Sequence, residues 1–339
     1  MAERAVYLPK QFLLDAKVHR STIRQLLTTE QKLVLHVDGA EPIIEAVAVG
    51  KIIKAVKNAR SLPVQADRVL QTMSGSLPAS LDASKREKAK WILPVVEQFT
   101  AQVNPVAVKD SWRGQFFFIE EEMEGGNIIQ NGLRPPQTGA LHAALAHWKV
   151  SEQLATIVMP TGTGKTETML ALLIQQRLPR LLVIVPNLAL RAQIEGKFLT
   201  LGLLKKLGVV GDAASLPIVT CLLKQLASAE QMEAVVSPAN VVITNIQVLQ
   251  GCSDEALRAL EGQISHLFVD EAHHMPASTW TYVGDTFSQK PILQFTATPF
   301  RNDGKLIEGT VIFNYPLKKA QKEQYFRPVT FDPVTEWDD

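Results

Sequence analysis

Cysteine is nearly absent: Cys221 and Cys252 are the only two in 339 residues, and no metal-ligand spacing joins them. Structural thiols in a reducing compartment are therefore expected, in place of a disulfide framework or a zinc site. No apolar run approaches a membrane span, and the opening MAERAVYLPK lacks the long apolar core of a signal peptide, so a cytoplasmic protein with no membrane partner is expected. An excess of one charge is missing too. The formal net charge of +1 excludes a massively basic nucleic-acid coat protein. It does not exclude a motor, which holds a strand through local charges and backbone amides. Repeats and low-complexity tracts are absent. With 46% hydrophobic and 20% charged residues, the composition is that of an ordinary globular protein with room for two domains.

What stands out is the stretch LATIVMPTGTGKTET, residues 154–168. Leu154 to Val158 reads as a buried strand, Pro160 to Thr166 as a loop, and Met169 to Leu173 as the start of an apolar-periodic helix. Glycines let a backbone curl so that several N–H groups converge on phosphate, and the following helix turns the positive end of its dipole to the same oxygens. In such a loop Lys165 places its ammonium between the β- and γ-phosphates of a nucleoside triphosphate, and the Thr166 hydroxyl ligates Mg²⁺. Met159 stands where the usual pattern has its first glycine. The alternative is a glycine-rich turn before an ordinary helix.

A second apolar strand, His266 to Val269, ends in two adjacent carboxylates, Asp270 and Glu271. In an open parallel sheet ligands gather at the carboxyl ends of strands, so these groups can sit beside the phosphate loop although they are distant in sequence. Asp270 would hold Mg²⁺ and Glu271 would orient and deprotonate the attacking water. A pair of solvated carboxylates opening a helix is the alternative.

These residues resemble the N-terminal motor domain of superfamily 2 helicases, the DEAD/DEAH type, over about Gly132 to Phe326. Arg134-Pro135-Pro136-Gln137 resembles the adenine-reading element, with Gln137 as the base contact. Thr161, Gly162, Thr163, Gly164, Lys165 and Thr166 correspond to motif I. Ile184 to Asn187, followed by Leu190 and Gln193, resembles motif Ia, and Val242 to Asn245 resembles motif Ib. Asp270-Glu271-Ala272-His273 matches the DEAH box and Thr296-Ala297-Thr298 the coupling motif. The resemblance implies ATP and Mg²⁺ as cofactors and catalytic roles for Lys165, Asp270 and Glu271. It implies relay of nucleotide state through His273 toward Thr296 or Thr298, and nucleic-acid contacts from Pro186, Asn187, Arg191, Thr244 and Asn245. Asn187 also suits a plain helix cap. DNA is expected ahead of RNA, with phage defence or restriction as a natural setting. His273 and His274 lack the further ligands that a metal site needs.

Residues 1–130 carry no motif tied to chemistry and are expected to form a smaller accessory α+β domain. Lys32 to Val37 reads as a strand, and Glu41 to Arg60 as a helix with Ile43, Ile44, Val47, Ile52 and Val56 inward and Lys51, Lys54, Lys57 and Arg60 solvated. A second helical region is expected over Ala83 to Val103 and a strand over Gln115 to Glu120. Residues 131–310 form the ATP-binding unit, with strands near 154, 181, 217, 240, 266 and 292 and a helix over Leu222 to Val235. That alternation implies a doubly wound, mostly parallel α/β sheet of about six strands, RecA-like by the resemblance. Residues 311–339, with a strand at Val311 to Tyr315, a helix at Leu317 to Tyr325 and an extended stretch at Arg327 to Phe331, read as a linker toward a second RecA-like lobe. That lobe, from a longer or a separate chain, would supply the arginines that neutralise γ-phosphate charge. The expected function is an ATP-dependent helicase or translocase, slow without its second lobe. The alternatives are an ATP-binding regulatory or scaffold component and a P-loop ATPase indifferent to nucleic acid.

Overall fold

The computed structural model describes residues 104–124, 127–274, 277–300 and 306–323, together with 2–6, 11–28, 33–37, 45–48, 51–58, 68–73, 90–92 and the single positions 75, 304 and 325. Toward the N-terminus the described elements are strands: β1 (Ala2–Val6), β2 (Gln11–Val18), β3 (Ser21–Thr28), β4 (Leu33–Val37), β5 (Glu45–Ala48), β6 (Lys51–Val56), β7 (Arg68–Gln71) and β8 (Lys90–Ile92). Then follow α1 (Pro105–Ser111), β9 (Glu122–Glu124), β10 (Asn127–Gln130), α2 (Pro135–Val150), β11 (Ala155–Val158), α3 (Lys165–Gln175), β12 (Leu181–Val185) and α4 (Leu188–Thr200). The remainder is β13 (Ile218–Cys221), α5 (Ala229–Val236), β14 (Val241–Asn245), α6 (Ile246–Gln250), α7 (Asp254–Gln263), β15 (His266–Asp270), α8 (Ala277–Thr286), β16 (Ile292–Thr296), β17 (Thr310–Asn314) and α9 (Leu317–Lys322).

The central sheet has nine strands in the order β17-β11-β16-β15-β12-β14-β13-β3-β2. The seven from β17 to β13 run parallel, whereas β3 pairs antiparallel with β13, and β2 with β3. The apolar runs that make the inner strands follow from burial on both faces. Along β12, Leu181, Val183 and Val185 enter one core with Ile157, Ile243 and Phe268. Leu182 and Ile184 enter the other with Val242, Leu267 and Val269. A period of two therefore sorts one continuous apolar word into two cores. Among the described residues no helix is long and apolar enough to cross a membrane.

Several elements differ from expectation. The helix expected over Glu41 to Arg60 is two strands, β5 paired antiparallel with β6. β-branched side chains crowd a helix but suit a pleat, and Gly50 weakens any helix running through it. Lys90–Ile92, inside the second expected helix, is a strand paired with β7, and most of the rest of that stretch lies outside the described residues. Gln115 to Glu120 makes only isolated bridges, Phe116 to Val210 and Glu120 to Leu133, and Phe117 and Phe118 are half-exposed. The helix expected from Leu222 begins only at Ala229, where Ser228 caps it by accepting from Gln231 N. Leu222 still follows the sheet, its N–H donating to Ile243 O at 2.9 Å.

The boundary expected near residue 130 is crossed by the sheet itself, because β2 and β3 extend its far edge. Asn240 also reaches back, donating to Pro105 O at 2.8 Å. At the other end the strand expected at Val311 to Tyr315, within the stretch read as a linker, is present as Thr310–Asn314 and joins the sheet in parallel beside β11. Gly139 lets α2 sit against it, since a Cβ there would lie 2.6 Å from the Phe313 ring. Arg327 to Phe331 falls outside the described residues.

Candidate active site

The phosphate loop leaves the carboxyl end of β11 and closes as α3 begins. Gly162 and Gly164 both take positive φ, 86° and 98°, which favours glycine. A Cβ at Gly164 would stand 1.9 Å from Gln137 Nε2, so the glycine is also needed for close approach to α2. Thr163 is buried and its hydroxyl donates to Pro160 O at 2.6 Å, which shapes the loop from within. Met159, in the place of the usual first glycine, is fully buried; its carbonyl accepts from Lys165 Nζ at 3.4 Å.

β15 delivers the carboxylates to the same place. Lys165 Nζ lies 2.9 Å from Glu271 Oε1. Asp270 is buried, and its burial together with the neighbouring Glu271 carboxylate pushes its pKa up to about 6, against the pull of Lys165. Glu271 holds φ at 48°, a left-handed conformation that costs a non-glycine residue about 1 kcal/mol and concentrates at functional sites. A cleft of about 340 Å³ is lined by the loop, by Thr166, Asp270 and Glu271, and by α4.

His273 sits behind Glu271. Its Nδ1 is 3.0 Å from Thr296 Oγ1 and 3.4 Å from Glu271 Oε2. Thr296 spends its single hydroxyl proton on Thr298 O at 2.7 Å, so the proton shared with His273 belongs on Nδ1. Thr298 in turn donates its own hydroxyl to Phe300 O at 3.1 Å. Carboxylate, imidazole and hydroxyl thus form one connected line from β15 to the end of β16.

The structure brings Thr161, Gly162, Gly164, Lys165, Thr166, Asp270 and Glu271 around one cleft. Gln137 is near but engaged: its Oε1 accepts from Arg134 N at 2.8 Å, closing a capping box at the start of α2. Pro186 and Asn187 lead into α4, where Asn187 Oδ1 accepts from Leu190 N at 3.0 Å and caps the helix. Arg191, one turn on, has a buried Nη1 without a hydrogen-bond partner among the described residues. Thr244 is fully buried, and Asn245 Oδ1 caps α6 by accepting from Val248 N at 3.1 Å. Leu190 and Gln193, which the motif Ia match includes, form the far wall of the cleft with Ile194 and Lys197, the two that sequence reasoning missed. The i, i+3, i+4, i+7 spacing of the four was the available signal. Lys197 is fixed there by an ion pair with Glu167 at 2.7 Å. Among the described residues no group of three or more His, Cys, Asp or Glu could hold a metal by itself.

Residues 130–301, half of the chain, match the ResIII family, "Type III restriction enzyme, res subunit". The chain belongs to that family. Its ResIII domain is a superfamily 2 helicase-type motor domain, α/β with a mostly parallel sheet. No curated protein matches the chain significantly. Solved structures similar to it include a nuclease-deletion mutant of the Type ISP restriction-modification enzyme LlaGI in complex with a DNA substrate mimic. That match has 20% identity, 57% of this chain, 20% of the other and a TM-score of 0.37. The Hef helicase domain of Pyrococcus furiosus matches at 22% identity over 48% of this chain and 33% of its own, TM-score 0.33. The UvsW helicase from bacteriophage T4 matches at 16% identity over 62% and 65%, TM-score 0.36. The chain thus spans only part of the length of each of these proteins.

Proposed function

We propose that the ResIII domain binds ATP with Mg²⁺ and hydrolyses it to move on or remodel nucleic acid, DNA ahead of RNA, as a cytoplasmic motor completed by a second RecA-like lobe. One observation carries the reading: Lys165 Nζ lies 2.9 Å from Glu271 Oε1. Asp270 and Thr166 line the same cleft. A cation fits these donors. A threonine hydroxyl and a carboxylate are the hard oxygen ligands that Mg²⁺ takes alongside phosphate oxygens. Glu271 Oε2 is buried and accepts no hydrogen bond among the described residues, which leaves it a lone pair for water. Bound Mg²⁺ would neutralise phosphate charge.

The chain's own groups then divide the work. Lys165 exchanges its carboxylate for the β- and γ-phosphates, and Glu271, released, takes a proton from water aligned on the γ-phosphate. Thr161, Gly162, Thr163 and Gly164 shape the cradle, and Asp270 and Thr166 hold the cation. Gln137 reads the adenine once its cap opens. His273 passes the state of Glu271 to Thr296 and Thr298. Pro186, Asn187 and Arg191 form the strand-facing surface, supported from below by Thr244 and Asn245.

A second reading, an ATP-binding regulatory or scaffold component, is favoured by one observation: among the described residues no arginine lines the cleft. An ATPase assay on the chain with single- and double-stranded DNA and RNA, with and without a second lobe, separates the two. Turnover that DNA raises when the second lobe is present and that Lys165→Ala removes is the expected result. ATP binding with no turnover under any of these conditions would establish the scaffold reading.

A further inference from the structure

Arg134 does more than open α2. Its Nη1 donates to the carbonyl of Gly162 in the phosphate loop at 3.4 Å. Its Nε stands 3.8 Å from Glu121 Oε2, and its guanidinium carbon lies 5.4 Å from the centre of the Tyr325 ring. Tyr325 arrives from the far end of the chain. β17 leads into Tyr315, which is buried and donates its hydroxyl to Glu323, and Tyr325 N donates to Ala320 O at 3.0 Å just after α9. The two tyrosine rings are 6.4 Å apart, and Lys319 Nζ lies 5.0 Å from the centre of the Tyr315 ring. Three segments far apart in sequence therefore meet on one guanidinium, and that guanidinium holds a carbonyl of the loop.

We propose that Arg134 is a positioning residue for the phosphate loop and that Tyr325 is the contact through which the outgoing segment sets its position. Nucleotide occupancy and the placement of residues 315–325 are then coupled. The inference rests on the nucleotide reading above and adds its regulation. The physical argument is local. Gly162 sits at φ 86°, in a loop whose peptide planes set where its N–H groups aim. A donor that grips its carbonyl from outside fixes one of those planes before phosphate arrives, as preorganisation requires. The guanidinium is fixed in turn by a carboxylate at its edge and an aromatic face against its plane. Coupling between two sites is reciprocal, so whatever order nucleotide gives the segment, the segment returns as nucleotide affinity.

The effect is small, because a cation over a half-buried ring is a weak contact; a change of about threefold in affinity is expected. Full-length chain is used, with Mg²⁺ and a non-hydrolysable ATP analogue as the probe. Hydrogen exchange at residues 317–325 should slow when the analogue binds. Tyr325→Ala should weaken analogue binding about threefold, Tyr325→Phe should leave it unchanged, and Arg134→Ala with Tyr325→Ala should lose no more than Arg134→Ala alone. Losses that simply add would overturn the coupling. So would analogue binding that Lys165→Ala removes but that leaves exchange of the segment untouched, and in that case the nucleotide reading would stand without the coupling. If the unsubstituted chain fails to bind the analogue, the nucleotide reading falls and the coupling with it.

Discussion

Gly164 shows how little room the loop has. Its φ of 98° strains any other residue, and a Cβ would strike the Gln137 amide at 1.9 Å. Gly164→Ala is expected to lower stability by about 1–3 kcal/mol and to abolish nucleotide binding. Adding Gln137→Ala opens the space and should recover part of the stability; a double variant no better than the single would show that the clash is not the cause. At the opposite ends of the strands, His266 packs edge-on against Trp148 with ring centres 5.0 Å apart, and its Nδ1 is buried without a hydrogen-bond partner among the described residues. Burial lowers its pKa from 6.5 to about 4. The sign follows from which state takes the proton first. As pH falls the unfolded chain protonates His266 near its ordinary value while the native ring stays neutral. The contribution is thus whole above about pH 6.5 and is lost progressively toward pH 4. Thermal melts of the unsubstituted chain and His266→Phe should keep a constant difference above about pH 7 and favour the variant increasingly below about pH 6, as linkage requires; a difference independent of pH would contradict this. That Lys165, Thr166, Asp270 and Glu271 gather at one cleft was legible from sequence, because these residue types stood at the spacing that a strand-loop-helix and a second strand end impose. The cap that engages Gln137 was not, since it needs the backbone of Arg134 in place.

Among the elements, the start of β14 carries a test of how the N-terminal part is attached. Asn240 is fully buried; its Oδ1 accepts from Ile218 N at 3.2 Å and its Nδ2 donates to Pro105 O at 2.8 Å. One amide therefore ties β13, β14 and the start of α1. Trp112 just after α1 repeats the attachment, its indole N–H donating to Ser215 O at 2.9 Å. Asn240→Ala leaves a buried N–H and C=O without that partner, at about 1–3 kcal/mol for each. A loss of about 2–4 kcal/mol in urea unfolding is expected on that basis, with faster hydrogen exchange over α1; unfolding unchanged within about 1 kcal/mol, the lower end of that scale, would deny the attachment its weight. The inner strands were readable because burial on both faces writes an uninterrupted apolar word. The hairpin strands β5 and β6 were not, because a run of apolar residues with lysines between them satisfies a helix and a pleat alike. Which one forms depends on what pairs with it, here β7, which lies beyond the local window.

At the scale of the whole molecule, alternation of strand and helix foretold a parallel sheet, while its width escaped the sequence. β3 joins it through a pairing with β13 that spans most of the chain, and β17 through one with β11. Long-range pairing leaves no local mark. The same topology decides what the site can do alone. The described strand ends that serve the cleft belong to this sheet, and among the described residues its cationic lining is Lys165 and Lys197, with no arginine. Arginines delivered from elsewhere accelerate P-loop NTPases by about 10³ to 10⁵, so a polypeptide of these 339 residues should turn ATP over slowly with or without DNA. Mixing it with a candidate second lobe should raise DNA-stimulated turnover by a large part of that factor, and Glu271→Gln should remove the gain while leaving nucleotide binding intact. Full DNA-stimulated turnover by the 339 residues alone would mean that the charge of the transition state is met from within this sheet, by Lys197 or by a residue outside the described set, and the need for a second lobe would fall.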